Sequence, residues 1–269
     1  MNKKSTSNVE KLNLHIVNWL KNYAETSKMK GFVIGISGGV DSAVTSTLCA
    51  QTGFDVLCIE MPIHQAENQV SRAREHIEKL KYKYKNVRSI EADLTLTYDT
   101  FKNMVPVEKE ETKYNLSLAN TRARLRMTTL YYFAGIHSYL VVGTGNKVED
   151  FGVGFYTKYG DGGVDLSPIA DLMKSDVYRL GHYLEIPNSI LIAAPTDGLF
   201  GDSRTDEDQL GASYDELEWA MREIEKPVQV NYSSQEREYE VLKIYKRLNF
   251  ANQHKMNPIP ICTIPKELC

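Results

Sequence analysis

Cysteine is scarce. Cys49, Cys58, Cys262 and Cys269 are the only four in 269 residues, and no CxxC spacing occurs among them. A disulfide-dense framework is excluded, and the pattern reads as the reduced thiols of a cytosolic protein. Long apolar runs are also missing. Nothing approaches the roughly 20 residues of a membrane span, and polar residues break the opening MNKKSTSNVEKLNLHIVNWL too often for a signal peptide. Net charge is nearly absent. Lys+Arg 32 against Asp+Glu 35 leaves −3, so the footprint of a nonspecific nucleic-acid binder is lacking and only a local basic patch could serve that role. No repeat, low-complexity segment or Gly/Pro-rich linker marks a boundary, and the length allows one large domain or two small ones. At 42% hydrophobic residues, the chain is too apolar for disorder and long enough to bury a sizeable core.

What is present alternates. Leu12, Ile16, Leu20 and Tyr23 recur at helical spacing. Residues 31–37 read as a buried strand, 41–52 as a helix and 55–60 as a second strand. Ala66, Val70, Ala73, Ile77, Leu80 and Tyr84 share one face of a helix ringed by basic residues. Strands are expected at 87–92 and 139–143, with a long helix from about 116 to 137 between them. This order predicts an α/β fold: a doubly wound, mostly parallel sheet with helices on both faces. A helix at 175–184 and a long polar loop at 194–212 follow. Ser213-x-x-Glu216 and Ser233-x-x-Glu236 are capping-box patterns that open two last helices, and the Pro-bearing tail from Asn257 reads as extended.

Ligands of such sheets bind beyond the carboxyl ends of the strands. There, between the first strand and its helix, stands Ser37-Gly-Gly-Val-Asp-Ser42. Gly38 and Gly39 allow a tight turn and close backbone approach, and the helix N-terminus adds partial positive charge. Ser37 and Ser42 offer hydroxyls, and Asp41 is placed to hold a divalent cation that bridges phosphates. Neither a GxxxxGK[ST] loop nor a GxGxxG fingerprint occurs at this turn. SGGVDS resembles the PP-loop of ATP pyrophosphatases, which split ATP into AMP and pyrophosphate.

Further signals follow in order. Arg122 and Arg126 lie four apart with Arg124 turned elsewhere, so one solvated face cannot serve all three. Val141-Val-Gly-Thr144, Phe155-Tyr-Thr-Lys-Tyr-Gly-Asp-Gly-Gly163 and His254-Lys255 complete the set. From about residue 31 to 255 the chain resembles the ammonia-dependent NAD synthetases. The resemblance implies a single domain over residues 1–269, an adenine nucleotide α-hydrolase type of fold, a homodimer, a cytoplasmic location and Mg²⁺. It implies the conversion of deamido-NAD, ATP and ammonia to NAD, AMP and pyrophosphate, with neither nucleic acid nor membrane as partner. Carried over, Gly35, Ile36, Ser37, Gly38, Gly39, Val40, Asp41 and Ser42 would hold ATP phosphates, with Thr144, Lys174 and Thr196. Asp41 and Glu149 would bind Mg²⁺, and Asp41 and Lys174 would carry catalysis. Arg124, Lys158, Asp165, His254 and Lys255 would meet deamido-NAD. Between Glu149 and Lys158 the chain has one residue more than the family pattern, so Asp150 competes with Glu149 for the metal position; Glu149 is favoured.

A carboxylate resists ammonia because oxide is an unworkable leaving group. Adenylation of the nicotinate carboxylate creates a better one, AMP, through an NAD-adenylate intermediate. The protein's part is positioning and charge neutralisation. Asp150, Asp161 and Asp165 are open candidates for deprotonating ammonium. The segment 197–211 is expected to order over the site and exclude water. A PP-loop tRNA-modifying enzyme is the alternative reading. Glutamine-dependent relatives carry an added glutaminase domain, whereas 269 residues are filled by the synthetase unit, so free ammonia or a separate donor is expected.

Overall fold

The computed structural model describes residues 3–196, 198, 205–227, 233 and 236–268, with side chains from residue 8 onward. Four parallel strands, β1 (Gly31–Gly35), β2 (Asp55–Glu60), β3 (Val87–Glu91) and β4 (Tyr139–Val141), lie in the order β3-β2-β1-β4. Phe32 aligns with Val56 on one side and Leu140 on the other. The strands read as apolar runs because the two inner ones are buried on both faces.

Alternation along β1 and β2 divides the core. Phe32, Ile34, Val56 and Cys58 face one layer, built by α1 (Lys3–Thr26), α2 (Val40–Gln51), α3 (Glu67–Lys83) and α6 (Lys174–Tyr183). Val33, Leu57, Ile59 and Val141 face the other, where α5 (Glu111–His137) supplies Leu130, Phe133 and Ala134. Helices therefore cover both faces, as expected of a doubly wound sheet. After β4 a second apolar cluster forms around Val148, Val153, Leu217, Met221 and Val241. It joins α9 (Tyr214–Ile224), α10 (Arg237–Met256) and a π-helical turn, Val148–Val153.

Several expectations need correction. α4 (Thr95–Met104) has no counterpart in the sequence reading. The first strand stops at Gly35 and the fourth at Val141, with Val142 continuing as a parallel bridge to Leu166. The polar stretch 194–212 contains α8 (Asp206–Leu210) and follows the short α7 (Asn188–Leu191). Seven of the fifteen residues of the expected covering segment 197–211, residues 197 and 199–204, lie outside the described residues. Ser213 and Glu216 make both bonds of a capping box. Ser233 N donates to the Glu236 carboxylate at 2.7 Å and Glu236 N to Ser233 O at 3.0 Å, and α10 begins later, at Arg237. No helix among the described residues is long and apolar enough to cross a membrane.

Candidate active site

The sheet order reverses between β1 and β4, which opens a crevice at their carboxyl ends. A cavity of about 290 Å³ lies there. Its lining includes all of 35–42, Thr144, Glu149, Asp150, Lys174 and Thr196. The residues assigned by resemblance to ATP and Mg²⁺ are thus brought together.

The glycine loop is built by sterics. Gly38 has φ +82°, and a Cβ there would lie 2.5 Å from the main-chain oxygen of Gln69 on α3. Only glycine fits both demands. Gly39 is the N-cap of α2 and offers no side-chain acceptor to the first amides of that helix. They remain directed at the cavity mouth, where an anion is favoured. The serines brace the loop. Ser42 Oγ donates to Gly39 O at 3.0 Å, and Ser37 Oγ accepts from Gly39 N at 3.2 Å.

Lys174 heads α6 and is 3% exposed. Its Nζ donates to Asp41 Oδ2 at 2.7 Å and Glu149 Oε1 at 3.0 Å. Burial disfavours the ammonium, but the two carboxylates outweigh burial and hold its pKa above the usual lysine value. Two residues that sequence reasoning missed fix these carboxylates. Asn146, fully buried, donates to Asp41 Oδ1 at 3.0 Å, while its own Oδ1 accepts from the amides of Val148 and Glu149. The Tyr214 hydroxyl donates to Glu149 Oε1 at 2.6 Å and lies 3.1 Å from Asp206 Oδ2. The Tyr214 ring stands 4.5 Å from Lys174 Nζ. Asn146 carried a legible local signal, since Asn caps helix starts. Tyr214 carried none, being far from Glu149 in sequence.

The segment between Glu149 and Lys158 opens with a π-helical turn, Val148–Val153. Gly154 N bonds Glu149 O, five residues back, which closes that turn. Glu149 meets Lys174, and Asp150 also reaches the cavity without joining that pair. Asp150 crowds Gly145, where a Cβ would fall 2.2 Å from its Oδ1. Burial, then the charges of Glu149, Asp161 and Asp41, push the Asp150 carboxyl up to about 8.

A second set lies beside the cavity, along 154–161 and the end of α10. Arg124 Nη2 reaches Lys158 O at 3.4 Å, and Lys158 Nζ donates to His254 O. Lys255 Nζ donates to Gly154 O and Tyr156 O, both at 2.8 Å, and burial lowers its pKa. Phe155, Tyr156 and Asp161 of this segment line the cavity. Asp165 is placed apart. Its Oδ2 accepts from Val141 N at 2.8 Å and its Oδ1 from the Tyr131 hydroxyl at 3.0 Å, which fastens the end of β4.

The NAD synthase family model matches residues 12–258. The NH(3)-dependent NAD(+) synthetase of Mycoplasma genitalium is 37% identical over 218 residues, 80% of this chain and 84% of that protein. That of Carboxydothermus hydrogenoformans is 37% identical over 241 residues, 89% and 92% of the two chains. Among solved structures, an NMN synthetase from Francisella tularensis superposes with a TM-score of 0.81 at 30% identity, covering 96% of this chain and 98% of its own. An NH3-dependent NAD synthetase from Campylobacter jejuni shares the fold at a TM-score of 0.71 and 24% identity, covering 95% and 99%. These matches lend no support to the tRNA-modifying alternative. With its phosphate loop, its Asp41–Lys174–Glu149 cluster and these relatives, the chain belongs to the NAD synthase family.

Proposed function

We propose that this protein is an ammonia-dependent C–N ligase that amidates the nicotinate carboxylate of deamido-NAD at the expense of ATP, giving NAD, AMP and pyrophosphate. The observation that carries the reading is the buried Lys174 bridging Asp41 and Glu149 directly beneath the glycine loop. The loop amides and the α2 N-terminus hold the ATP phosphates. Lys174 offsets the charge that grows as the nicotinate oxygen attacks the α-phosphorus. Ammonia then attacks the acyl-adenylate and AMP leaves. No protein nucleophile is needed. Of the three carboxylates considered for ammonium, Asp150 and Asp161 line the cavity, and both Asp165 oxygens are bonded elsewhere.

The donor set suits Mg²⁺. Asp41 and Glu149 are hard oxygen donors that both reach Lys174 Nζ and both line the cavity beside the glycine loop. Mg²⁺ is held in that manner, by one or two carboxylates with phosphates and water. Bound there, it supplies further neutralisation of phosphate charge. A homodimer and a cytoplasmic location belong to the same reading. Support for the dimer comes from exposed apolar side chains along α5, Leu116, Tyr132 and Ile136.

The test is incubation with ATP, Mg²⁺, ammonium and deamido-NAD. NAD, AMP and pyrophosphate are expected in equal amounts; ADP, or turnover independent of deamido-NAD, overturns the reading. A second reading is favoured by the TM-score of 0.81 to the NMN synthetase. Nicotinate mononucleotide presents the same carboxylate without the adenylate half. The ratio of kcat/KM for the two acids, measured side by side, decides between them.

A further inference from the structure

Three basic side chains line the cavity: Lys174, Arg126 and Arg72. Two of them are held by neighbours. Lys174 is shared between Asp41 and Glu149, one cation against two carboxylates. Arg126 Nε donates to Met61 O at 3.0 Å and its Nη2 to Gln65 at 2.8 Å. Arg72 differs. It stands on α3, and its Nε donates to Gly38 O, in the glycine loop, at 3.2 Å. No carboxylate among the described residues forms an ion pair with it. Two residues along the same helix, Arg74 is paired with Glu91 at 2.9 Å and Glu60 at 3.7 Å, so acids were available to this part of α3.

The local packing makes Arg72 part of the loop. The missing Cβ of Gly38 would lie 3.4 Å from Arg72 Cβ and 3.2 Å from Ala73 N. α3 therefore rests against the glycine turn, and the Nε bond sets the direction of the guanidinium. A guanidinium tethered at Nε keeps its two Nη groups as a planar fork, which matches two oxygens of one phosphate. The cavity around it is rich in carboxylates: Asp41, Glu60, Glu91, Glu149, Asp150, Asp161 and Asp206 contribute to its wall. A polyanion entering such a wall needs cations that are not already neutralised.

We propose that Arg72 binds the pyrophosphate portion of ATP and retains the pyrophosphate product. This rests on the adenylation reading above. In that step the carboxylate oxygen forms a bond to the α-phosphorus, and the bond from the α-phosphorus to the bridging oxygen breaks. The electron pair leaves on the pyrophosphate oxygen, with no net proton transfer. Arg72 meets the charge that accumulates there, beside the loop amides.

The experiment compares wild type with R72Q and R72K, all with Mg²⁺. Thermal melting confirms the fold. Steady-state kinetics give the KM for ATP and for deamido-NAD and the inhibition constant of inorganic pyrophosphate. Calorimetry measures pyrophosphate binding without turnover. In R72Q the ATP KM and the pyrophosphate inhibition constant should each rise about tenfold or more, as for a lost charge-assisted hydrogen-bonded contact. The deamido-NAD KM should stay as in wild type. R72K keeps the charge but not the fork and should recover part of the loss. A folded R72Q with unchanged pyrophosphate affinity overturns the assignment. If R72Q does not fold, R72K decides: pyrophosphate affinity equal to wild type overturns it. A wild type that makes no amide product overturns the activity reading, while calorimetry on the three proteins still decides Arg72.

Discussion

Gly38 and Lys174 show how much one side chain can decide. At Gly38 an alanine would face two penalties, a left-handed backbone at φ +82° and a main-chain oxygen at 2.5 Å. Gly38→Ala should cost more than about 1 kcal/mol of stability and abolish ATP binding, read by chemical denaturation and by nucleotide titration. Unchanged ATP affinity would contradict the close-packed loop. Lys174→Met should do more damage. It leaves Asp41 and Glu149 facing each other with their shared cation removed, and breaking a buried pair by deleting one partner costs about 3–5 kcal/mol. The expected outcome is a large fall in denaturation midpoint together with loss of turnover. A variant as stable as wild type would mean the cluster is not coupled as its distances of 2.7 and 3.0 Å indicate. Both residues were legible in the sequence, Gly38 through its place in the Gly-Gly turn and Lys174 through the family resemblance. Tyr214 was not. Its link to Glu149 spans 65 residues of chain, and no local pattern announces a tyrosine that will donate to a distant carboxylate.

Elements show the same division between local and distant causes. β1 and β2 were readable because both faces are buried, which writes an unbroken apolar run. The capping box at Ser213 was readable because both bonds are made within four residues. α4 was missed because Tyr98 is its only buried residue, so its apolar stripe is too thin to stand out. The π-helical turn, Val148–Val153, was not legible as an element. No helical period predicts a bond from Gly154 N to Glu149 O. The capping box also reaches the active site, because Tyr214 is the first residue of α9. Ser213→Ala should cost about 1 kcal/mol in denaturation and also raise the KM for ATP, since fraying at α9 loosens the Glu149–Tyr214 bond. Loss of stability with an unaltered ATP KM would show that α9 holds Tyr214 by packing alone.

For the whole molecule, the near-zero net charge proved uninformative because opposite charges are sorted by place. Acids and bases line one cavity, while the larger core is apolar and holds a single buried histidine. His76, on α3, is 1% exposed and pairs with Ser46 of α2 at 2.9 Å. Burial, then the charge of Lys79, pushes it down from 6.5 to about 4. The sign follows from proton counting. Between pH 6.5 and 4 the unfolded chain protonates this imidazole and the folded chain does not. Stability is therefore complete above the unfolded value, falls as pH drops through that window, and levels off for this group below pH 4. At about 1.4 kcal/mol for each pH unit of displacement, the loss amounts to about 3 kcal/mol. His76→Gln keeps a partner for Ser46 but cannot take up a proton. Urea denaturation from pH 7.5 to 4 should show wild type losing about 3 kcal/mol more than the variant across the window. The carboxylates titrate in both proteins and cancel in the difference. Parallel pH curves for the two would place the acid sensitivity of the fold elsewhere than in the contact between α2 and α3.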